Sequence, residues 1–82
     1  MKYIIGEIKG KSVSCFGPVI FPEWCDHEQT AVKLGITNIQ SAGFIDIDID
    51  GKVRCYGESI SLDIRSNPYD NPIMQKMFQN DN

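Results

Sequence analysis

The chain has 82 residues, 41% of them hydrophobic and 23% charged, a composition that fits one small folded domain and not a disordered chain. A net charge of −3, with eight Lys and Arg spread along the chain, gives no electrostatic track for duplex nucleic acid or an anionic membrane surface. Three cysteines, an odd number, argue against a secreted disulfide framework.

The first seven residues, Met1-Lys2-Tyr3-Ile4-Ile5-Gly6-Glu7, hold too short an apolar run for a signal peptide, and no stretch approaches the ~20 apolar residues of a membrane span. Residues 3–8 read as a first strand, with Tyr3, Ile5 and Glu7 on one face and Ile4 and Ile8 on the other. Lys9-Gly10-Lys11 is a turn and residues 12–21 a second strand. Gly17-Pro18 interrupts that strand, which places it at a bulge or a sheet edge, because Pro cannot donate to a central ladder. Asp26 caps a helix over 27–34 that stops at Gly35, and Gln29 completes a capping-box pattern. Ala31 and Leu34 are its expected inward positions, and His27 a surface residue of the first turn.

Residues 36–48 and 52–64 form the third and fourth strands around Asp50-Gly51, the strongest hairpin signal in the chain. A two-residue turn would set Ile47 opposite Arg54. A three-residue loop, Ile49-Asp50-Gly51 with Gly51 left-handed, pairs Ile47 with Val53, Ile45 with Cys55, Asp46 with Arg54 and Phe44 with Tyr56. Like burial and opposite charge then face each other, so the second register is expected. A bulge at Gly57 is expected to flip the face beyond it and turn Ile60, Leu62 and Ile64 inward. Asn71 caps a last helix with Pro72 at its first position, Ile73, Met74, Met77 and Phe78 form its stripe, and residues 80–82 fray. The resulting class is α+β, a small antiparallel sheet in β-β-α-β-β-α order with helices packed on one face, in a single domain over 1–82. Chains of this size gain burial by assembling, so a homodimer or larger oligomer is expected.

Catalytic chemistry is hard to place. Cys15, Cys25, His27 and Cys55 could make a zinc set, but no C-x₂-C pair is present. Cys25 and His27, two residues apart at a helix start, point in different directions, which disfavours a thiol nucleophile with a base. No metal and no cofactor are therefore assigned. Asp46, Asp48 and Asp50 lack the ligand loop of a calcium site, and Lys52 and Arg54 face two of them. Phe44, Arg54 and Tyr56 share a strand face and could stack a base or anchor a partner. The alternative is that the last helix covers both rings with Met74, Met77 or Phe78. Trp24 carries the same choice between core and contact surface. Gly43 opposite Gly57 suggests a groove with Ser41, Ser59 and Ser61 hydroxyls along it.

The segments Gly43-Phe44-Ile45, Cys55-Tyr56-Gly57-Glu58-Ser59-Ile60-Ser61-Leu62 and Asn67-Pro68-Tyr69-Asp70, with Ile20-Phe21-Pro22 upstream, carry a resemblance. The chain resembles small uncharacterised proteins encoded by tailed bacteriophages and prophages. The resemblance implies a non-virion accessory protein made in the cytoplasm of an infected bacterial cell, acting by binding. The expected function is a non-catalytic binding protein, a counter-defence factor that sequesters a host nucleotide signal or blocks a host protein. Its expected site is Phe44, Arg54, Tyr56, Trp24, Ser59 and Ser61, with neither duplex nucleic acid nor membrane as partner. The alternative is a small zinc- or thiol-dependent module using Cys25 and His27.

Overall fold

In the computed structural model, which describes residues 1–10 and 13–79 with the side chain of Gln79 excepted, eight elements follow one another. They are β1 (Lys2–Lys9), β2 (Ser14–Phe21), α1 (His27–Leu34), β3 (Ile36–Ile47), β4 (Val53–Tyr56), β5 (Glu58–Ser59), β6 (Ile64–Arg65) and α2 (Asp70–Gln79). The class is α+β: an antiparallel four-stranded sheet in the order β2-β1-β3-β4, a separate β5-β6 ribbon, and two helices. The expectations for Lys11, Ser12 and residues 80–82 fall outside the described residues.

The hairpin takes the three-residue register. Phe44 pairs with Tyr56, Ile45 with Cys55, Asp46 with Arg54 and Ile47 with Val53, and Gly51 is left-handed at φ 82°. The fourth strand, however, stops at Tyr56. Gly57 sits at φ 75°, a conformation L residues rarely hold, and redirects the chain into the β5-β6 ribbon instead of bulging one long strand. Beyond it only Leu62 and Ile64 reach a core, while Ile60 is exposed.

The helices lie on opposite faces of the sheet, not on one. Tyr3, Ile5, Ile45 and Val53 pack under Met74 of α2, whereas Ile4, Phe21, Ile36 and Ala42 pack under Ala31 of α1. The cause is in β1, where Tyr3-Ile4-Ile5 is continuously apolar and so presents hydrophobic surface on both sides of the sheet. Asp26 accepts from the Gln29 N–H at 3.0 Å and Gly35 closes α1 in the left-handed conformation, as the capping pattern predicts. The buried positions of α1 are His27 and Ala31, one full turn apart; Leu34 is 47% exposed. At α2 the chain turns four residues before the expected Asn71-Pro72 start, at Asn67-Pro68. Asn67 Oδ1 accepts from Tyr69 N–H and Asp70 Oδ2 accepts from Asn67 N–H, a reciprocal cap around Pro68.

Asp70 is a buried carboxylate with three donors: the Tyr3 hydroxyl, the Ser41 hydroxyl at 3.0 Å and the Asn67 N–H at 3.0 Å. It therefore joins β1, β3 and the start of α2 at one point. Burial, and then the Asp70 hydrogen bond, push the Tyr3 hydroxyl well above its ordinary range.

The β4 edge of the sheet is closed by α2, and the β2 edge is interrupted by Pro18. The Val53 N–H donates to Gln75 Oε1 and the Cys55 N–H to Asn71 Oδ1, each at 2.7 Å, and Gln75 Nε2 donates to the Gly51 carbonyl at 2.9 Å. Two residues along a strand cover about 6.7 Å and one helical turn of four residues about 6 Å, so α2 reads β4 as a fifth strand would. Between the two central strands, the Ile45 N–H of β3 donates to the carbonyl of Met1, which precedes β1. That contact fixes the alternation across the ladders and turns the position of the Pro18 nitrogen outward, where no N–H exists to offer.

Replacing Asn71 with Ala leaves the Cys55 N–H without its acceptor, at an expected cost of about 1–3 kcal/mol. Urea unfolding should show the loss, and hydrogen exchange should accelerate at the Cys55 amide. Unchanged exchange there would mean the edge is closed by something other than α2.

Candidate functional site

Strand register alone builds one aromatic row. Phe21 of β2 pairs with Lys2 of β1, Lys2 with Phe44 of β3, and Phe44 with Tyr56 of β4. Directly opposed residues share a face, so all four side chains rise on the α1 side. His27, at the start of α1, enters the row from above. Its ring lies edge-on to Phe21 at 5.3 Å and to Phe44 at 5.8 Å, and Nε2–H donates to the Gly43 carbonyl at 3.0 Å. A carbonyl can only accept, which assigns the proton to Nε2. Desolvation first, with Lys2 adding to it, holds the imidazole below its ordinary 6.5, against the Gly43 carbonyl, which favours the cation.

Phe44 and Tyr56 are stacked at 5.7 Å with 26° between their planes. The Arg54 guanidinium stands over Tyr56 at 5.0 Å and reaches Asp46 at 3.3 Å, with both charged side chains more than half exposed. The Lys2 ammonium lies 6.0 Å from the Phe44 ring and donates to the Cys25 carbonyl at 2.8 Å. Phe44 is half-buried and Tyr56 is 37% exposed. The last helix does not cover these rings, because α2 lies on the opposite face, with Met74 fully buried there and Met77 45% exposed.

The other expected site residues are elsewhere. Trp24 is 86% exposed and stands beside a separate hollow lined by Met1, Ile20, Phe21, Pro22 and Glu23. Ser59 is buried, its Oγ accepting from the Leu62 N–H at 3.2 Å, and Ser61 Oγ accepts from the Glu28 N–H at 3.3 Å. Ser61 thus ties the β5-β6 turn to the start of α1 while Ser59 closes the turn itself, and neither lines an open groove. Ser41 is spent on Asp70. Nor is there a groove between Gly43 and Gly57. A Cβ on Gly43 would stand 2.5 Å from the Tyr56 carbonyl oxygen and 3.2 Å from Ser66 Cβ, and one on Gly57 would stand 2.9 Å from the Phe44 ring. Backbone, Ser66 and Phe44 fill that space.

The metal set also comes apart. Cys55 lies on the α2 face, its thiol pushed up to about 11 by burial and then by Asp70, while His27 belongs to the α1 face and Cys15 is exposed on β2. Among the described residues no group of three or more His, Cys, Asp and Glu side chains could hold a metal ion. Lys2, Phe21 and His27 are the site residues that motif reading misses. Their one signal is positional: each becomes visible when the β1 register and the i, i+4 pair His27–Ala31 are drawn together.

No family model, no curated protein and no solved structure matches this chain. No helix among the described residues is long and apolar enough to cross a membrane.

Because His27 is protonated more readily in the unfolded chain than in the folded one, stability should be complete above pH 6.5 and fall as the pH drops below it. His27 is the single histidine of the chain, so urea midpoints between pH 7.5 and 5.5 isolate it. A His27→Gln variant should flatten that slope; an equally steep slope in the variant would assign the effect to other groups.

Proposed function

We propose that this protein is a small non-catalytic binding protein whose ligand face is the Phe44–Tyr56–Arg54 row. The reading takes the resemblance to phage-encoded proteins as its context. The protein would act in the cytoplasm of a host bacterium as a counter-defence factor, sequestering a small nucleotide-like signal.

One observation carries it: a guanidinium held over Tyr56, the exposed member of a stacked aromatic pair whose Phe44 is partly covered by His27. The Asp46–Arg54 pair is exposed on both sides, and such pairs contribute only ~0–1 kcal/mol. A phosphate can therefore replace Asp46 as the partner of Arg54 at little cost, forming charge-assisted and bidentate hydrogen bonds. A base then lies against the exposed part of the Tyr56 ring, in the space Arg54 opens when it turns to the phosphate. The Lys2 ammonium, at the other end of Phe44, adds a second positive charge to the same face. Tyr and Arg are also frequent anchors of protein interfaces, and the same face would serve a host protein as the second reading.

Titration calorimetry with ribonucleoside mono-, di- and triphosphates and with cyclic oligonucleotides tests the first reading. Binding by one of them should weaken at least tenfold in Arg54→Ala and tighten in Asp46→Asn, which frees the guanidinium. If all of them fail to bind the native protein, the nucleotide reading is wrong and a protein partner takes its place.

A further inference from the structure

β2 lies at the edge of the sheet, and among the described residues nothing hydrogen-bonds to its outer side. The ladder to β1 takes the backbone groups of Cys15, Gly17, Val19 and Phe21. Facing outward are therefore the N–H and C=O of Ser14, Phe16 and Ile20, and the carbonyl alone of Pro18. The Phe16 side chain, on the α2 face, is 51% exposed. Two residues along the same face, Pro18 borders a hollow of about 410 Å³ with Ile73, Lys76 and Met77. We infer that this edge is the interface of a homodimer, in which two β2 strands pair antiparallel about a twofold axis at Gly17 and join both sheets into one.

Backbone chemistry sets the kind of occupant. Alternating outward N–H and C=O groups are matched by another extended strand, and an antiparallel edge is self-complementary under twofold rotation. Pro18 then selects the register. With the axis at Gly17, Ser14 exchanges two bonds with Ile20 of the second copy, and the Phe16 N–H donates to the Pro18 carbonyl of the second copy. Repeated by the twofold, these make six bonds, whereas every other twofold register within Ser14–Phe21 makes four or fewer because the Pro18 donor is missing. The same register sets Phe16 opposite Pro18, so each ring stands over the hollow of the other copy. Lys76 at that hollow supplies a cation for the face of the entering ring. Ser14–Phe21 holds no charged residue, so two copies of a chain with net charge −3 oppose no like charges along the strands. β4 offers no such route, since Asn71 and Gln75 already hold its amides.

The dimer is a weak one. Its paired segment, residues 14–20, is roughly 24 Å of strand, flanked by two rings, which belongs with the small and transient interfaces. Association should accordingly develop between about 10 μM and 1 mM. The inference does not depend on the ligand reading, since Phe44, Arg54 and Tyr56 lie on β3 and β4, away from this edge.

Sedimentation velocity over that concentration range tests association, and cross-linking tests the register. The native chain should shift from a 9.2 kDa species to twice that mass. Phe16→Lys should weaken association at least tenfold with far-ultraviolet circular dichroism unchanged, because the ring is half exposed in the monomer. For the register, Gly17→Cys is made together with Cys15→Ser and oxidised with copper–phenanthroline. A Cβ at Gly17 meets nothing within 4 Å, so the monomer accepts the substitution. Directly opposed residues of a non-hydrogen-bonded pair stand about 4.5 Å apart at Cα, within disulfide reach. A linked dimer should form, and should be absent from Cys15→Ser alone. A native chain that stays monomeric throughout overturns the proposal. So does a dimer that persists undiminished in Phe16→Lys, or a Gly17→Cys chain that fails to link.

Discussion

One carboxylate holds the parts of this fold in relation to each other. Asp70 accepts from a hydroxyl on β1, a hydroxyl on β3 and the amide that opens the turn into α2. A buried charge is tolerated only when its lone pairs are filled, so the geometry is all-or-none: α2 starts where it does because only there do three donors converge. From that fixed start, the first and fifth residues after Asp70, one helical turn apart, fall opposite β4. Asn71 and Gln75 meet its outward amides, Met74 drops into the core of that face, and the helix closes strand and sheet together.

The other face is organised differently. α1 covers only its middle, through Ala31, and the β5-β6 ribbon adds Leu62 and Ile64. Near the start of β1 the cover is a single ring, His27, wedged between Phe21 and Phe44 and held by the Gly43 carbonyl. Beyond Phe44 the cover ends, and Tyr56 and Arg54 are left at the surface. The aromatic row thus passes continuously from core to solvent. A ligand that touches its exposed end touches a group whose other end is part of the packing.

Where sequence reading worked, the information was local. Asp50-Gly51 with its flanking alternation set the hairpin and its register, and Asp26, Gln29 and Gly35 set both ends of α1. It failed where a partner distant in sequence decided the outcome. His27 reads as a surface residue until Gly43, sixteen positions on, supplies its acceptor. The Asn67-Pro68-Tyr69-Asp70 cap was hidden by the more conspicuous Asn71-Pro72, because the advantage of Asp70 comes from Tyr3 and Ser41 and not from its neighbours. Of the expected site, Phe44, Arg54 and Tyr56 do come together, since one hairpin carries them. Ser59, Ser61 and Trp24 do not, because Gly57 turns the ribbon away and the loop after β2 runs to a different surface.

The two sheet edges bear on how the chain behaves when it is crowded. Pro18 removes one donor from the β2 edge by covalent structure, so that interruption is present whether or not the molecule is folded. The guard on β4 exists only while α2 is docked. Stripped of that helix, Val53-Arg54-Cys55-Tyr56 would present free amides next to Ile45 and Ile47, a template for growth into fibrils. Protection of the β4 edge and docking of α2 are therefore a single event.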